Sequence, residues 1–456
     1  MYPITSLLIR SSGPRRSIPK RVTLVPALVS VLLLHACSQP ISGQPPTEDP
    51  AAGNAPRNVV ADDPLVFDTY TPGPCSPNGQ PQGNCDPGEL VRVRLVPVAE
   101  GIETPRHIAF IPGANDMLIT GPTRVRLVRG GELAPEPIAG WPEDALDAGM
   151  LQSVIPHPDF AANSFVYVYY VKGRDDGATT LALARARLQD MALADVEEIF
   201  VADGWVIGGP IAGRAEFGPD GMIYLTLNDH DRSFSTDDNS VRILAQNVGS
   251  DVGKVMRVRD DGGAPADNPF VGQAQAKPEV FTYGHRNVTG FAWHPETGEL
   301  WATEVGPMGG DELNLLRPGS NYGWPHVSLG RIYNDSLVSE NSWWRSGMEM
   351  PVMHWTPSIS PSGATFYTGD RIPQWRGHLF IGALNGQMLQ RVAFGQPGAQ
   401  SERRESLFMP LGRRFRHVAQ GPDGYLYVAT VLRVVGPDAP AGPNMSGTVY
   451  RLEPAD

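Results

Sequence analysis

Two short segments carry charged and polar side chains of the kinds that bind anions. Arg414 and Arg416 alternate in the β-type segment RRFRHV, so both would lie on the same face of a strand. Arg286 and Asn287 are adjacent in GHRN, between apolar β-type segments. Guanidinium groups make charge-assisted hydrogen bonds to carboxylates, although a single arginine in a loop is more often solvated. The residue types alone therefore permit an anion-binding role for these segments without assigning one.

A residue that could accept a proton is harder to find. In the segment VIGGPIAGRAEFGPDG, Pro210 lies four residues before Arg214, and proline has no group that accepts a proton. No histidine occurs between residues 158 and 229. His230, after a predicted strand, and Asp147, in DAGML, are the candidate bases. A loop histidine is more often solvated, and a loop acid is as often without a role.

The elements that must position these residues recur along the chain. An apolar β stretch, a turn of Pro, Gly and Asp, and a second β stretch repeat six times. The copies span residues 108–121, 154–170, 215–229, 291–304, 364–384 and 418–430. Radial repetition of such units predicts an all-β, six-bladed β-propeller over residues 92–456. A pair of β-sandwiches is the alternative, but it would not explain the recurrence.

Composition narrows the class of protein. The 456 residues include 50 Gly and 44 Pro, and 41% are hydrophobic, which suits a large core with many turns. Strands do not alternate with helical patterns, so a doubly wound α/β fold is not expected. The net charge is −12 and the folded region has no basic block, which argues against nucleic acid as a partner.

The first 37 residues are predicted to be an export signal. A basic segment without acids precedes an apolar run that is too short to span a bilayer comfortably. Residues 34–37, Leu-His-Ala-Cys, resemble the lipobox of bacterial lipoproteins, which predicts a periplasmic protein with a lipid anchor at Cys37. Plain secretion is the alternative, and Arg15-Arg16 is a weak twin-arginine signal.

Residues 38–91 are rich in Pro, Gly, Asn and Asp and are predicted to form a flexible tether. Cys75 and Cys85 lie in this segment, and in an oxidising compartment they could close a short disulfide loop. Two free thiols are the alternative. Zinc is less favoured, because no histidine lies near the pair.

The long segment from Thr282 to Pro325, TYGHRNVTGFAWHPETGELWATEVGPMGGDELNLLRPGSNYGWP, strongly resembles the glucose/sorbosone dehydrogenase family. These are soluble quinoprotein sugar dehydrogenases, and the aldose sugar dehydrogenase branch is the most similar. The resemblance extends over residues 92–453 and includes PSISPSGATFYTGDRIPQWRGHLFIGALNGQML and LGRRFRHVAQGPDGYLYVAT. It implies a propeller that binds pyrroloquinoline quinone (PQQ) and calcium in a central pocket.

The resemblance assigns roles position by position. Six positions match cofactor-contacting ones, namely Arg286, Asn287, Ser358, Asn385, Arg414 and Arg416. The backbone carbonyls of Gly306 and Pro307 in EVGP match the ligands of the catalytic calcium, a hard cation that prefers oxygen. Asp311 and Glu312, in the same loop, are acids whose alternative role is to cap a turn.

The chain departs from the family pattern where the substrate would react. The family's catalytic histidine corresponds to Pro210, and the residue before it, commonly acidic, is Gly209. A glutamine corresponds to Asp147, and a lysine that contacts the cofactor corresponds to Asn385. His230 and Asp147 are the candidate substitutes for the missing base.

The resemblance therefore implies PQQ- and calcium-dependent oxidation of an aldose, or a related alcohol, to the lactone or carbonyl compound. Hydride would pass to the quinone and electrons onward to an acceptor that the sequence does not identify. One alternative is a propeller that binds quinone or sugar without turnover. Another is a calcium-dependent lactonase, against which Arg286, Arg414 and Arg416 argue.

Overall fold

The computed structural model describes residues 65–71, 89–142, 150–208, 211–230, 241–333, 335–339, 343–394, 403–432 and 446–455. Contacts divide the chain into Met1–Ala55 and Pro56–Asp456, and the described residues all belong to the second unit. The predictions for Cys37, Cys75, Cys85, Asp147 and Pro210 lie outside the described residues. In the described part of the chain, no helix is long and apolar enough to cross a membrane.

Almost all of the regular structure is β-strand. The first thirteen strands are β1 (Val66–Thr71), β2 (Glu89–Glu103), β3 (His107–Phe110), β4 (Met117–Thr120), β5 (Val125–Arg129), β6 (Glu132–Leu133), β7 (Leu151–Pro156), β8 (Phe165–Gly173), β9 (Ala178–Gln189), β10 (Ala192–Val201), β11 (Val206–Ile207), β12 (Ala215–Phe217) and β13 (Ile223–Leu227). The next thirteen are β14 (Lys254–Val258), β15 (Val280–Tyr283), β16 (Val288–Trp293), β17 (Leu300–Glu304), β18 (Asp311–Leu316), β19 (Met353–Trp355), β20 (Pro361–Phe366), β21 (Leu379–Ala383), β22 (Met388–Ala393), β23 (Arg403–Leu407), β24 (Arg413–Gln420), β25 (Leu426–Leu432) and β26 (Ser446–Pro454). One α-helical turn, α1, covers Phe160–Asn163, and 3₁₀ turns cover Arg242–Gln246, Pro373–Trp375 and Met409–Leu411.

These strands form six antiparallel sheets, which are the blades of a six-bladed β-propeller. Blades 1 to 5 are β3–β6, β7–β10 with β11 added to β9, β12–β15, β16–β19 and β20–β23. Blade 6 has the order β24, β25, β26, β2, β1 from the inside outward. The inner strands β3, β7, β16, β20 and β24 each contact the inner strand of the next blade, and β13 contacts β16, so the ring is closed.

The six sequence repeats correspond to the two inner strands of the six blades. Each predicted pair, from β3–β4 to β24–β25, is an antiparallel hairpin around the turn residues. The predicted all-β propeller is therefore confirmed. The alternating apolar residues of these strands fill the spaces between neighbouring blades.

Blade 6 joins the two ends of the described chain. The C-terminal strand β26 lies between β25 and the N-terminal strand β2. Residues 66–71, which the composition assigns to the tether, instead form β1 and pair with β2. Phe67 explains the difference, because its ring is buried against Phe408, at a ring-centroid distance of 5.1 Å. Val66 and Thr69 of the same strand are also buried.

Candidate active site

A cavity of about 330 Å³ lies on the propeller axis, where the six inner strands begin. Each blade contributes one side chain from an equivalent position, which lies in its inner strand or immediately before it. In blade order these are Arg106, Gln152, Arg214, Thr289, Ser362 and Arg416. Loop residues above them complete the lining, including Asn287, Val305, Ser360 and Leu384. The described lining contains no acidic residue.

β-Bulges place four of these six side chains. The pairing of the inner strand with its neighbour skips Gln152 in β7, Thr289 in β16, Ser362 in β20 and Arg416 in β24. A bulge inserts one unpaired residue and re-aims its side chain. Because Arg416 lies in a bulge, simple alternation along the strand does not determine where its side chain points. The reason for expecting Arg414 and Arg416 on the same face therefore does not apply to this segment.

Arg214 joins blades across the axis. Its Nε donates to the carbonyl of Thr289 at 3.0 Å and its Nη2 to the carbonyl of Ser362 at 2.7 Å. Its Nη1 lies 3.4 Å from the carbonyl of Arg106. The three acceptors belong to the same ring of six positions, so this buried guanidinium forms the floor of the cavity.

The cavity is strongly cationic. Burial and, in decreasing order, the neighbouring charges of Arg106, Arg414 and Arg214 together lower the pKa of Arg416 to about 10. The pKa of Arg214 is also lowered to about 10, because burial outweighs the opposing effect of Glu216 and the charge of Arg106 adds to the decrease. Buried cations that repel each other are costly unless an anion compensates them. The arrangement therefore fits an anionic ligand.

Two of the predicted cofactor residues line this cavity with unused hydrogen-bonding atoms. Arg416 Nε and Asn287 Oδ1 are buried and have no hydrogen-bond partner within the described protein. Arg414 lies close enough to lower the pKa of Arg416. Asn385 is exposed beside the lining residue Leu384, and it supplies a neutral amide where the family pattern has a lysine.

Arg286 supports the cavity from behind. Its Nη1 donates to the carbonyls of Val305 and Gly306, both at 3.0 Å. Its guanidinium lies over the Trp324 ring, and Trp324 Nε1 donates to Asp229 at 2.7 Å. Arg286 Nε is buried without a hydrogen-bond partner in the described protein. The residue therefore holds the predicted calcium loop and still offers a donor.

Asp311 ties this loop to the neighbouring Ser358–Ser360 segment. One carboxylate oxygen accepts the Gly306 N–H at 2.9 Å. The other accepts the N–H groups of Ile359 and Ser360 at 2.7 and 2.8 Å. The Ser358 hydroxyl also donates to this carboxylate, at 2.8 Å. Of the serines in this segment, it is Ser360 that lines the cavity.

The predicted calcium ligands Gly306 and Pro307 are buried beside the lining residue Val305. A Cβ on Gly306 would lie 2.4 Å from the carbonyl oxygens of Gly309 and Gly310, so only glycine fits this turn. The Gly306 carbonyl keeps one lone pair beyond the one that accepts from Arg286. Glu312, in the same segment, is buried, and burial and Glu304 raise its pKa to about 8.

His230, one of the candidate bases, lies apart from the described lining of the cavity. It is 1% exposed, has a left-handed backbone conformation, and its Nε2 would be 3.2 Å from a Cβ on Gly204. The other candidate, Asp147, and the proline at the family's histidine position are outside the described residues.

Sequence reasoning missed Arg106 and Arg214 as parts of the site. Arg106 lines the cavity, donates to the carbonyl of Leu151 at 3.1 Å, and has a buried Nε without a hydrogen-bond partner in the described protein. Their positions in the sequence repeats could have identified them, because each arginine immediately precedes an inner strand. Aligning the six repeats with each other would have placed them in one ring with Arg416.

The fold and site define a β-propeller with a polar, cationic axial cavity, and comparisons with known proteins agree. The glucose/sorbosone dehydrogenase family model matches residues 102–433. The aldose sugar dehydrogenase YliI of Escherichia coli is 33% identical over 351 residues, which cover 74% of this chain and 90% of that protein.

Solved structures give the same result. The apo form of the soluble aldose sugar dehydrogenase of Escherichia coli has a TM-score of 0.69 and 30% identity, covering 80% of this chain and 100% of that one. The PQQ-bound form of the aldose sugar dehydrogenase of Streptomyces coelicolor has a TM-score of 0.60 and 26% identity, covering 79% and 98%.

This chain belongs to the glucose/sorbosone dehydrogenase family. The predicted family, the propeller fold and the assignment as an oxidoreductase enzyme are confirmed. Membership also supports a sugar-oxidising role of the quinoprotein type.

Proposed function

We propose that this protein oxidises an aldose, or a related hydroxyl compound, to the lactone or carbonyl compound with PQQ and calcium bound in the axial cavity. The observation that carries the proposal is the cavity lined by Arg106, Arg214 and Arg416 without a described acid. PQQ has three carboxylates on a planar quinone and accepts a hydride when bound. The arginines offer the cations that such a ligand requires.

Different residues of the site would bind different parts of the cofactor and the calcium ion. Arg416 and Arg414 would bind cofactor carboxylates through charge-assisted hydrogen bonds. Asn287 and Arg286 would hold the reactive edge, and both have buried polar atoms without a partner in the described structure. The carbonyls of Gly306 and Pro307 would bind calcium, as a hard cation prefers oxygen ligands. We expect PQQ binding to require calcium and to weaken on addition of a chelator.

Turnover is expected to be slow, because Pro210 occupies the position of the family's catalytic histidine. A positioned general base contributes about 10²–10⁴ in rate, or roughly 3–5 kcal/mol of barrier. Single-turnover reduction of bound PQQ by an aldose should therefore be at least about 10²-fold slower than in a relative with histidine at that position. Pro210→His need not restore the full rate, since proline fixes φ and the loop can follow another path.

Two variants complete this test. A fast wild-type rate that is lost in Asp147→Asn or His230→Ala would identify that side chain as the substitute base. A fast rate that neither change affects would contradict the assignment of the missing base.

The two alternative functions give different results in the same experiments. A propeller that only binds quinone or sugar would bind PQQ and show no reduction by any sugar. A calcium-dependent lactonase would hydrolyse lactones without PQQ, and it needs acidic metal ligands, whereas none is present in the described lining. The arginine cluster favours the dehydrogenase.

We also propose that the protein is exported to the periplasm and anchored by lipid at Cys37, where it passes electrons to a separate acceptor. The basic segment, apolar run and Cys37 support this location. Mass spectrometry of the mature protein should find a lipid-modified N-terminal Cys37 and, without reduction, Cys75 joined to Cys85. An intact Met1 would contradict export, and an unmodified start elsewhere would contradict lipidation.

A further inference from the structure

A second cavity, of about 370 Å³, lies further along the inner strands. Arg106, Arg214 and Arg416 line the first cavity, whereas their near neighbours His107, Glu216 and His417 line the second. The guanidinium of Arg214 and its carbonyl acceptors separate the two. The second cavity is thus distinct from the proposed cofactor site.

His107, Glu216 and His417 converge from blades 1, 3 and 6. One ligand atom from each lies within 4.8 Å of the others, and His417 Nε2 is 4.0 Å from Glu216 Oε1. The two histidine rings are 4.4 Å apart between centroids. Both histidines are almost fully buried, at 2% and 4% exposed.

The atoms that face each other in this cluster have no hydrogen-bond partner within the described protein. They are His107 Nδ1, Glu216 Oε1 and His417 Nε2. The other side of the His107 ring is hydrogen-bonded to the backbone of Val154. A histidine ligand is commonly oriented by such a bond through its second nitrogen, which leaves a lone pair for the metal.

The His417 ring has a different environment. Its Nδ1 accepts the Ile108 N–H at 3.2 Å, so the neutral ring holds its proton on Nε2. Burial raises the pKa of Glu216 to about 7, while Arg214 opposes this rise. Burial also lowers the pKa of both histidines, and Arg214 adds to this effect. The cluster therefore holds buried polar groups that do not compensate each other.

We propose that His107 Nδ1, Glu216 and His417 Nε2 bind a divalent transition metal of the zinc type. Two imidazole nitrogens and one carboxylate suit such an ion, whereas calcium takes oxygen ligands. The ion would keep an open position toward the 370 Å³ cavity, where water or a small ligand completes its coordination.

Binding requires two local changes. Zinc–nitrogen bonds are about 2.0–2.1 Å, so the three donor atoms must move closer together than they are now. The His417 proton must also leave Nε2, and when Nδ1 carries the ring proton the Ile108 N–H loses its acceptor. This weak backbone bond is replaced by metal–ligand bonds. The ring proton moves from Nε2 to Nδ1, so the imidazole stays neutral, and any proton carried by Glu216 is released to solvent.

The test uses the full chain, treated with chelator and free of PQQ and calcium, so that its result is independent of the proposed dehydrogenase function. Cobalt(II) added to this protein should give visible absorption bands at one equivalent, and zinc should displace them. Glu216→Gln and His417→Gln should each abolish the bands. His354→Gln, which changes an exposed histidine, is the matched control and should retain them.

X-ray absorption of the zinc-loaded wild-type protein tests the ligands without a variant. The proposal requires two imidazole nitrogens in the first shell. An oxygen-only shell, binding that survives both substitutions, or the absence of stoichiometric binding would each overturn it.

Discussion

Replacing Arg414 and Arg416 together with alanine should lower the affinity for PQQ by about 10²–10⁴-fold. Charge-assisted hydrogen bonds contribute about 1.5–3 kcal/mol each, and two such bonds give a loss of this size. The measurement is a PQQ titration at constant calcium, followed by the absorbance or fluorescence of the quinone.

Stability should respond in the opposite sense. Arg416 is buried beside Arg106, Arg414 and Arg214, and their mutual repulsion lowers its pKa. Removing guanidinium groups from this cluster relieves repulsion, so the free energy of unfolding without cofactor should be unchanged or higher. Arg129→Ala, on the exposed side of blade 1, is the control and should leave PQQ affinity unaltered. Unchanged PQQ affinity in the double variant would refute the cofactor assignment.

Asp311→Ala should lower the free energy of unfolding by about 3–4 kcal/mol and also weaken calcium binding. The carboxylate accepts three backbone N–H groups, from Gly306, Ile359 and Ser360, and the Ser358 hydroxyl. Each buried donor left without an acceptor costs about 1–3 kcal/mol. Chemical denaturation measures the first effect and calcium titration in the presence of PQQ measures the second.

Two further variants define the role of Asp311. Asp311→Asn keeps the shape and one acceptor oxygen, so it should recover part of the stability and of the calcium affinity. Asp335→Ala removes an exposed acid and should change neither. If Asp311→Ala were stable yet bound calcium normally, the two loops would not depend on this carboxylate for their positions.

Most of the fold could be predicted because each blade repeats the same local pattern. Alternating apolar residues and a Pro-Gly-Asp turn identify the inner hairpins, and all six are present. The outermost strand β1 was hidden by the polar composition of the longer segment around it, although VFDTYT itself is rich in β-branched and aromatic residues. Its order depends on a tertiary contact, the packing of Phe67 on Phe408.

The site was predicted less completely, and the reason is geometric. Bulges determine where the side chains of four lining residues point, namely Gln152, Thr289, Ser362 and Arg416. The residue types in these strands do not predict the bulges. Ser358 was expected at the cofactor, but its hydroxyl donates to Asp311. Groups that meet only on the axis, such as His107 and His417, lie far apart along the chain. The neighbouring hydrogen bond from Ile108 to His417 already joins residues 309 positions apart.

The way in which blade 6 is assembled sets the order of events during folding. Its central strand β26 follows all the other described strands along the chain, and without it the early strand β2 has no link to β25. Blade 6 stays incomplete until β26 has paired with both β2 and β25, and pairings over so long a separation form slowly. The axial cavity is lined from all six blades, so it is complete only when the ring is closed. A ligand that uses the whole lining can therefore bind only to the closed propeller.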